Sequence, residues 1–179
     1  MKLEYKVKEK NLSINSILQN ELKISSRLLY KLIRNNNILL NGKHCDSRNI
    51  ADIADIITIN FDYEEDNSNI VLTKMNLDIV YEDEWLLVIN KPAGVAIHPS
   101  ILHFDDSLCN GVKFHFDKIG LKIKIWPVNR LDLNTSGLVI FAKCEYIQEF
   151  LISEMKTNKF KKEYLCICEG IFSNKKRNY

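Results

Sequence analysis

Apolar residues recur along this chain in two rhythms, and the change between them marks its parts. From Leu28 onward Leu28, Leu29, Leu32 and Ile33 keep helical spacing behind Ser25-Ser26, a pair suited to capping a helix. Arg27, Lys31 and Arg34 then share the opposite face of the helix. Asn35-Asn36-Asn37 ends it, and Ile38-Leu39-Leu40, Asn41-Gly42 and Lys43-His44-Cys45 read as a tight hairpin. Ile50 to Phe61 supplies a strand-rich return. Residues 62–69 are acidic and polar with no period, the mark of a linker. The expected organisation is therefore a small domain over 1–61, an acidic linker over 62–74 and a second domain over 75–179.

In the second domain Asp78-Ile79-Val80-Tyr81 and Trp85-Leu86-Leu87-Val88-Ile89 are β-rich runs joined by Glu82-Asp83-Glu84. Lys91-Pro92-Ala93-Gly94 breaks the second run as a rigid turn, with Gly94 supplying a backbone angle costly for other residues. The polar stretch from Asn129 to Gly137 precedes a strand over Leu138 to Ala142. Glu145 to Lys156 reads as a helix with Ile147, Phe150 and Leu151 on one face, and Lys162 to Glu169 as a further strand. Strands in succession with few helices predict an α+β class: a small helix-hairpin domain, then a mixed or antiparallel sheet.

Composition supports a folded chain. With 46% hydrophobic and 27% charged residues over 179 positions, a core can be buried and disorder is excluded. The net charge is only +2, but it is segregated: +4 over residues 1–60, −7 over 61–85 and +5 over 86–179. Two basic lobes around an acidic stretch suit parts that both approach a polyanion. Apolar runs such as Leu138 to Ala142 fall far short of the roughly 20 residues that span a bilayer, and Met1 to Lys6 lacks the features of a signal peptide. The expectation is a cytoplasmic protein. Cys45, Cys109, Cys144, Cys166 and Cys168 form no CxxC pair, so reduced thiols are expected, with Cys166 and Cys168 as small buried residues on one strand face. His98, His103, Cys109 and His115 match no zinc spacing, and no metal is expected.

The stripe of Arg27, Lys31 and Arg34 can follow successive phosphates, or it can be an ordinary solvated helix face. Together with the hairpin carrying Lys43 it resembles the αL RNA-binding module of a ribosomal small-subunit protein, which implies RNA contacts at Arg27, Lys31, Arg34 and Lys43. In Asn129-Arg130-Leu131-Asp132-Leu133-Asn134-Thr135-Ser136-Gly137, spacing alone gives Asp132 a pairing with Arg130 or a turn-capping role, although loops on rigid strands are also where sites lie.

The order of segments changes that weighting. Ile79-Val80-Tyr81-Glu82-Asp83-Glu84, Val88-Ile89-Asn90-Lys91-Pro92-Ala93-Gly94, His98-Pro99, Arg130-Leu131-Asp132, Thr135-Ser136-Gly137 and Lys162-Glu163-Tyr164-Leu165 together resemble the RluA-type pseudouridine synthases, from about Asn11 to Gly170. The resemblance implies isomerisation of specific uridines in ribosomal or transfer RNA without metal or organic cofactor. It implies that Asp132 is the essential carboxylate, acting as nucleophile or as base on the sugar. Arg130 then fills the space of the flipped base or clamps its phosphate, and Tyr164, with Lys162 beside it, stacks on the target ring. A catalytically inactive RNA-binding remnant is the alternative. Two departures stand out. Asn129 replaces the histidine most of the family has before Arg-Leu-Asp, and past Gly170 only a short basic tail follows where the family continues its sheet. The expectation is a truncated or split synthase, with a complementary chain supplying the missing half.

Overall fold

A computed structural model describes residues 1–61, 63–157 and 159–170. The N-terminal unit runs β1 (Lys2–Lys6), β2 (Leu12–Ser13), a helical turn α1 (Ile14–Ser16) that continues as one π turn (Ile17–Glu21), α2 (Ser26–Arg34), β3 (Ile38–Leu40), β4 (Lys43–His44), β5 (Ile50–Ala51) and β6 (Ile56–Asn60). The charge alternation of the first residues becomes a strand because Leu3 and Tyr5 turn inward against Ile59 and Ile57 while Lys2, Glu4 and Lys6 face water. The sheet order is β1-β6-β3-β4. Asn41 and Gly42 both hold positive φ, 50° and 78°, which is what a two-residue turn with the right twist between Leu40 and Lys43 requires. The Ser25 hydroxyl accepts from the Leu28 N–H at 3.2 Å, and Leu28, Leu29 and Leu32 are buried, as the period predicts.

The second unit runs β7 (Ile79–Glu82), β8 (Leu86–Lys91), α3 (Leu108–Lys118), β9 (Trp126–Pro127), β10 (Gly137–Ala142) and α4 (Glu145–Glu154). Its sheet has the order β7-β8-β10-β9, and every strand pair described in the chain is antiparallel. This is a mixed α/β structure with antiparallel sheets. Leu87, Ile89, Val139 and Phe141 cover one face of the sheet and pack with Leu108, Val112 and Phe116 of α3. The pattern reading assigned no element to α3, whose interior holds the helix-weakening pair Asn110-Gly111. Both residues serve packing instead: Asn110 is fully buried and donates to Val71 O and Phe104 O, and a Cβ on Gly111 would meet Met75 Cβ at 2.9 Å.

The units meet through α4. Phe61, 1% exposed, stacks on Tyr146 with centroids 5.7 Å apart and meets Trp85 edge-on at 6.2 Å. Each such ring pair is worth about 0.5–1.5 kcal/mol beyond its buried area. The acidic segment has no regular structure but is anchored, since the Glu65 carboxylate accepts from Trp126 Nε1 at 2.9 Å and the Lys124 N–H at 3.2 Å. No described helix is long and apolar enough to cross a membrane.

The expected strand over Lys162 to Glu169 is corrected. Residues 161–170 carry no strand and are all exposed, so Cys166 and Cys168 lie in solvent with their sulfurs 3.5 Å apart rather than packed in a core. A β pattern becomes a strand only when an edge accepts it, and among the described residues neither edge strand of the second sheet, β7 or β9, pairs with this segment.

Candidate functional site

The loop from Arg130 to Ser136 leaves and rejoins one edge of the second sheet. On the way in, the Val128 N–H donates to Ile140 O at 2.8 Å, and the Asn129 carboxamide donates to Leu138 O at 3.0 Å while accepting from the Ile140 N–H at 2.9 Å. The chain then turns away at the exposed Arg130. Leu131 packs against the sheet core, Thr135 N–H closes a turn on Asp132 O at 3.1 Å, and Gly137 re-enters β10 with φ 129°, an angle that favours glycine.

A second clamp holds the middle of the loop. Lys91 follows Leu87 and Ile89 on the inward face of β8 and is 0% exposed. Its ammonium donates to Pro92 O, Val95 O and Leu133 O, each at 2.9 Å, and Gly94 N–H adds a second bond to Leu133 O at 2.9 Å. Three protons therefore meet three carbonyls, and the Lys91-to-Gly94 turn is tied to the residue that follows Asp132. Burial pulls the Lys91 ammonium below the usual lysine value. The signal for this role was in the sequence: a lysine at an inward position of an apolar strand must find buried acceptors.

Asp132 and Arg130 are both exposed, and among the described residues neither side chain forms a hydrogen bond or ion pair. The pairing of Asp132 with Arg130 that spacing alone suggests is not made. The Arg130 charge does reach His98, whose imidazole is held below its ordinary value first by burial and then by that charge. His98 also lines a groove of about 790 Å³ together with Pro99, Ile101, Phe104, Lys124 and Trp126, where Lys124 Nζ sits 5.2 Å from the Trp126 ring. The groove gathers a cation, an aromatic face and exposed apolar side chains around His98. Tyr164 and Lys162 lie on the exposed 161–170 segment, Tyr164 at 65% exposure, with no ring contact, hydrogen bond or ion pair to the loop among the described residues.

The four N-terminal cations separate. Lys31 donates to Glu65 at 2.7 Å and Glu145 at 3.2 Å, with its ammonium 4.2 Å from the Tyr63 ring centroid. Burial alone would lower Lys31, but its carboxylate partners hold it above the usual lysine value. Burial pushes the Tyr63 phenol up to about 12. Arg27 pairs with Glu145 and, at 3.5 Å, with Glu149. Arg34 and Lys43 are exposed, with no ion pair among the described residues. The histidines have local partners as well: His103 with Asp106 at 3.1 Å, His115 with Glu82 at 2.9 Å, and His98 with the Cys109 thiol at 3.8 Å.

The family model for RNA pseudouridylate synthase matches residues 85–178, just over half of the chain and including the whole 129–137 segment. The chain belongs to the RNA pseudouridylate synthase family. Relatives of this synthase-family chain include the Bacillus subtilis proteins named Uncharacterized RNA pseudouridine synthase YjbO, 32% identical over 84% of this chain and 53% of that protein, and YhcT, 31% identical over 90% and 53%. Ribosomal large subunit pseudouridine synthase D of Borreliella burgdorferi is 30% identical over 97% of this chain and 56% of its own length. The chain thus spans about half the length of the curated relatives it matches.

Proposed function

We propose that this protein isomerises specific uridines of structured RNA to pseudouridine, with Asp132 as the catalytic carboxylate. One observation carries the reading: in a chain of this family, Asp132 is presented on a loop clamped on both sides, with its carboxylate exposed and uncommitted among the described residues. In the reaction the N1–C1′ bond breaks, the uracil turns, a C5–C1′ bond forms, C5 loses a proton and N1 gains one, so atoms and electrons balance within the nucleotide and water. A carboxylate serves either by adding to the nucleotide or by taking a proton from the sugar.

The target base must leave its stack, at a cost of a few kcal/mol, and the free planar guanidinium of Arg130 is suited to fill the gap or hold the phosphate. Tyr164 is assigned to stacking on the ring and Lys162 to the adjoining backbone. In this reading residues 1–61 form an αL-type RNA-binding unit, 62–74 a linker and 75–179 the catalytic part. Arg34 and Lys43, with the open side of Arg27, meet phosphates, while Lys31 serves mainly in the carboxylate cluster. Large-subunit ribosomal RNA is the first substrate to test, because several relatives are named for it; transfer RNA is the second.

The separation of Tyr164 and Lys162 from the loop favours a second reading, an RNA-binding protein without conversion. Ribosomal and transfer RNA transcripts incubated with the wild type and Asp132→Asn, then scored by pseudouridine-specific chemical labelling, separate the two. Labelling by the wild type alone supports the synthase. Binding by both proteins with labelling by neither supports the second reading.

A further inference from the structure

We infer that Asn129 is a positioning residue for the Arg130–Asp132 loop, its side chain acting as the last rung of the sheet. The functional half of this inference rests on Asp132 being the catalytic carboxylate; the anchoring half does not. In an antiparallel ladder, each rung joins a backbone donor and acceptor of one strand to those of its neighbour. Against β10 the final backbone rung is Val128 N–H to Ile140 O at 2.8 Å. The next groups on β10, the Ile140 N–H and Leu138 O, are met by one side chain: Asn129 Oδ1 accepts from the first at 2.9 Å and Nδ2 donates to the second at 3.0 Å. The carboxamide orientation is fixed by its partners, since a carbonyl can only accept and an N–H only donate.

Pairing therefore continues through the side chain while the backbone is released to turn away at Arg130. Downstream the loop is caught again at Leu133 O by Lys91 Nζ and Gly94 N–H. Only residues 130–132 lie between the two anchors, and they hold the carboxylate of Asp132 and the guanidinium of Arg130. Losing the Asn129 anchor lengthens the free span back to Val128 and lets Asp132 wander. Misplacement of a reacting group by about 1 Å can cost on the order of 100-fold in rate.

The test compares the wild type, Asn129→Ala and Asn129→Asp. The aspartate keeps the shape and the acceptor but loses the donor to Leu138 O, so it probes the anchor even where alanine perturbs folding. Two readouts are taken: amide hydrogen exchange, and kcat and KM for uridine conversion in an RNA transcript, with Asp132→Asn in parallel. The expected result in Asn129→Ala is exchange at Ile140 and Thr135 faster by about tenfold or more, and in Asn129→Asp, where the acceptor for the Ile140 N–H remains, at Thr135 alone, with Ile57 and Ile59 unchanged in both, kcat lower by about 10- to 100-fold, and KM and RNA affinity unchanged. Unaltered protection of Ile140 and Thr135 in both variants overturns the anchor. Accelerated exchange with wild-type kcat overturns the positioning role. A wild type that converts no uridine under any condition brings down the reading of Asp132, and with it the positioning role, while the exchange data still decide the anchor.

Discussion

Replacing Lys91 with methionine keeps most of the buried stem and deletes three hydrogen-bond donors. Leu133 O retains the Gly94 N–H, whereas Pro92 O and Val95 O lose the ammonium that satisfies them. A fully buried acceptor left bare costs about 1–3 kcal/mol, so for these two part-buried carbonyls the gross loss is at most about 2–6 kcal/mol. Against this stands the recovered cost of holding an ammonium out of water, several kcal/mol for an isolated ion. In the wild type most of that cost is already offset, because every ammonium proton meets a carbonyl, and a net loss of about 2 kcal/mol is expected. Arginine should not rescue, since a planar fork cannot meet three carbonyls that converge on one nitrogen. Urea unfolding at neutral pH measures this directly. The pH dependence gives a second check. Burial places the folded-state value of Lys91 below the unfolded one, so the folded protein binds fewer protons between them and wild-type stability rises with pH through that alkaline window. Lys91→Met flattens the rise. A methionine variant as stable as the wild type would refute the tether.

Other expectations follow from single contacts. Glu145, 4% exposed, receives both Arg27 and Lys31. Glu145→Gln should cost about 1–3 kcal/mol in urea unfolding, below the usual range for a broken buried pair because both cations reach water, and the deficit should shrink at high salt. Gly111→Ala should destabilise by about 1–3 kcal/mol despite alanine's better helix propensity, since Met75 Cβ at 2.9 Å leaves no room; a stabilised variant in a thermal melt would contradict the packing. Burial raises the Glu82 carboxyl, but hydrogen bonds and charges from Lys143 and His115 more than reverse that and hold it below the ordinary value. Its contribution is therefore present above the unfolded-state value and lost as pH falls through the folded one, so Glu82→Gln should reduce the acid dependence of stability in an unfolding titration.

What the chain revealed of itself in one dimension was its local chemistry. Asn41-Gly42 demanded a two-residue turn and Ser25 a helix cap, because both effects act within four residues. Non-local partners stayed hidden. The cations of α2 read as either a phosphate-following stripe or a solvated face, and neither reading could include Glu65 and Glu145, 34 and 114 positions from Lys31, which folding brings onto the same spot. Helix α3 went unassigned because the groups that make a buried carboxamide at Asn110 and a bare Cα at Gly111 useful there, Val71 O and Met75, come from another segment. The 162–169 pattern was β-like, yet no strand of the second sheet pairs with it among the described residues. At the candidate site the sequence nominated Asp132 and Arg130 through resemblance, and an inward lysine at 91 signalled a need for acceptors, but which carbonyls meet it, and the Asn129 rung, could be seen only in three dimensions.

The most direct test of the central claim exploits the one hydrogen the reaction must release. RNA carrying tritium at C5 of uridine loses it to water when C5 bonds to C1′, whichever way the carboxylate acts. Wild-type protein should release tritium in proportion to the pseudouridine formed, whereas Asp132→Asn, folded and still binding RNA, should release none above background. Release undiminished by Asp132→Asn would contradict the assignment of this loop as the catalytic element.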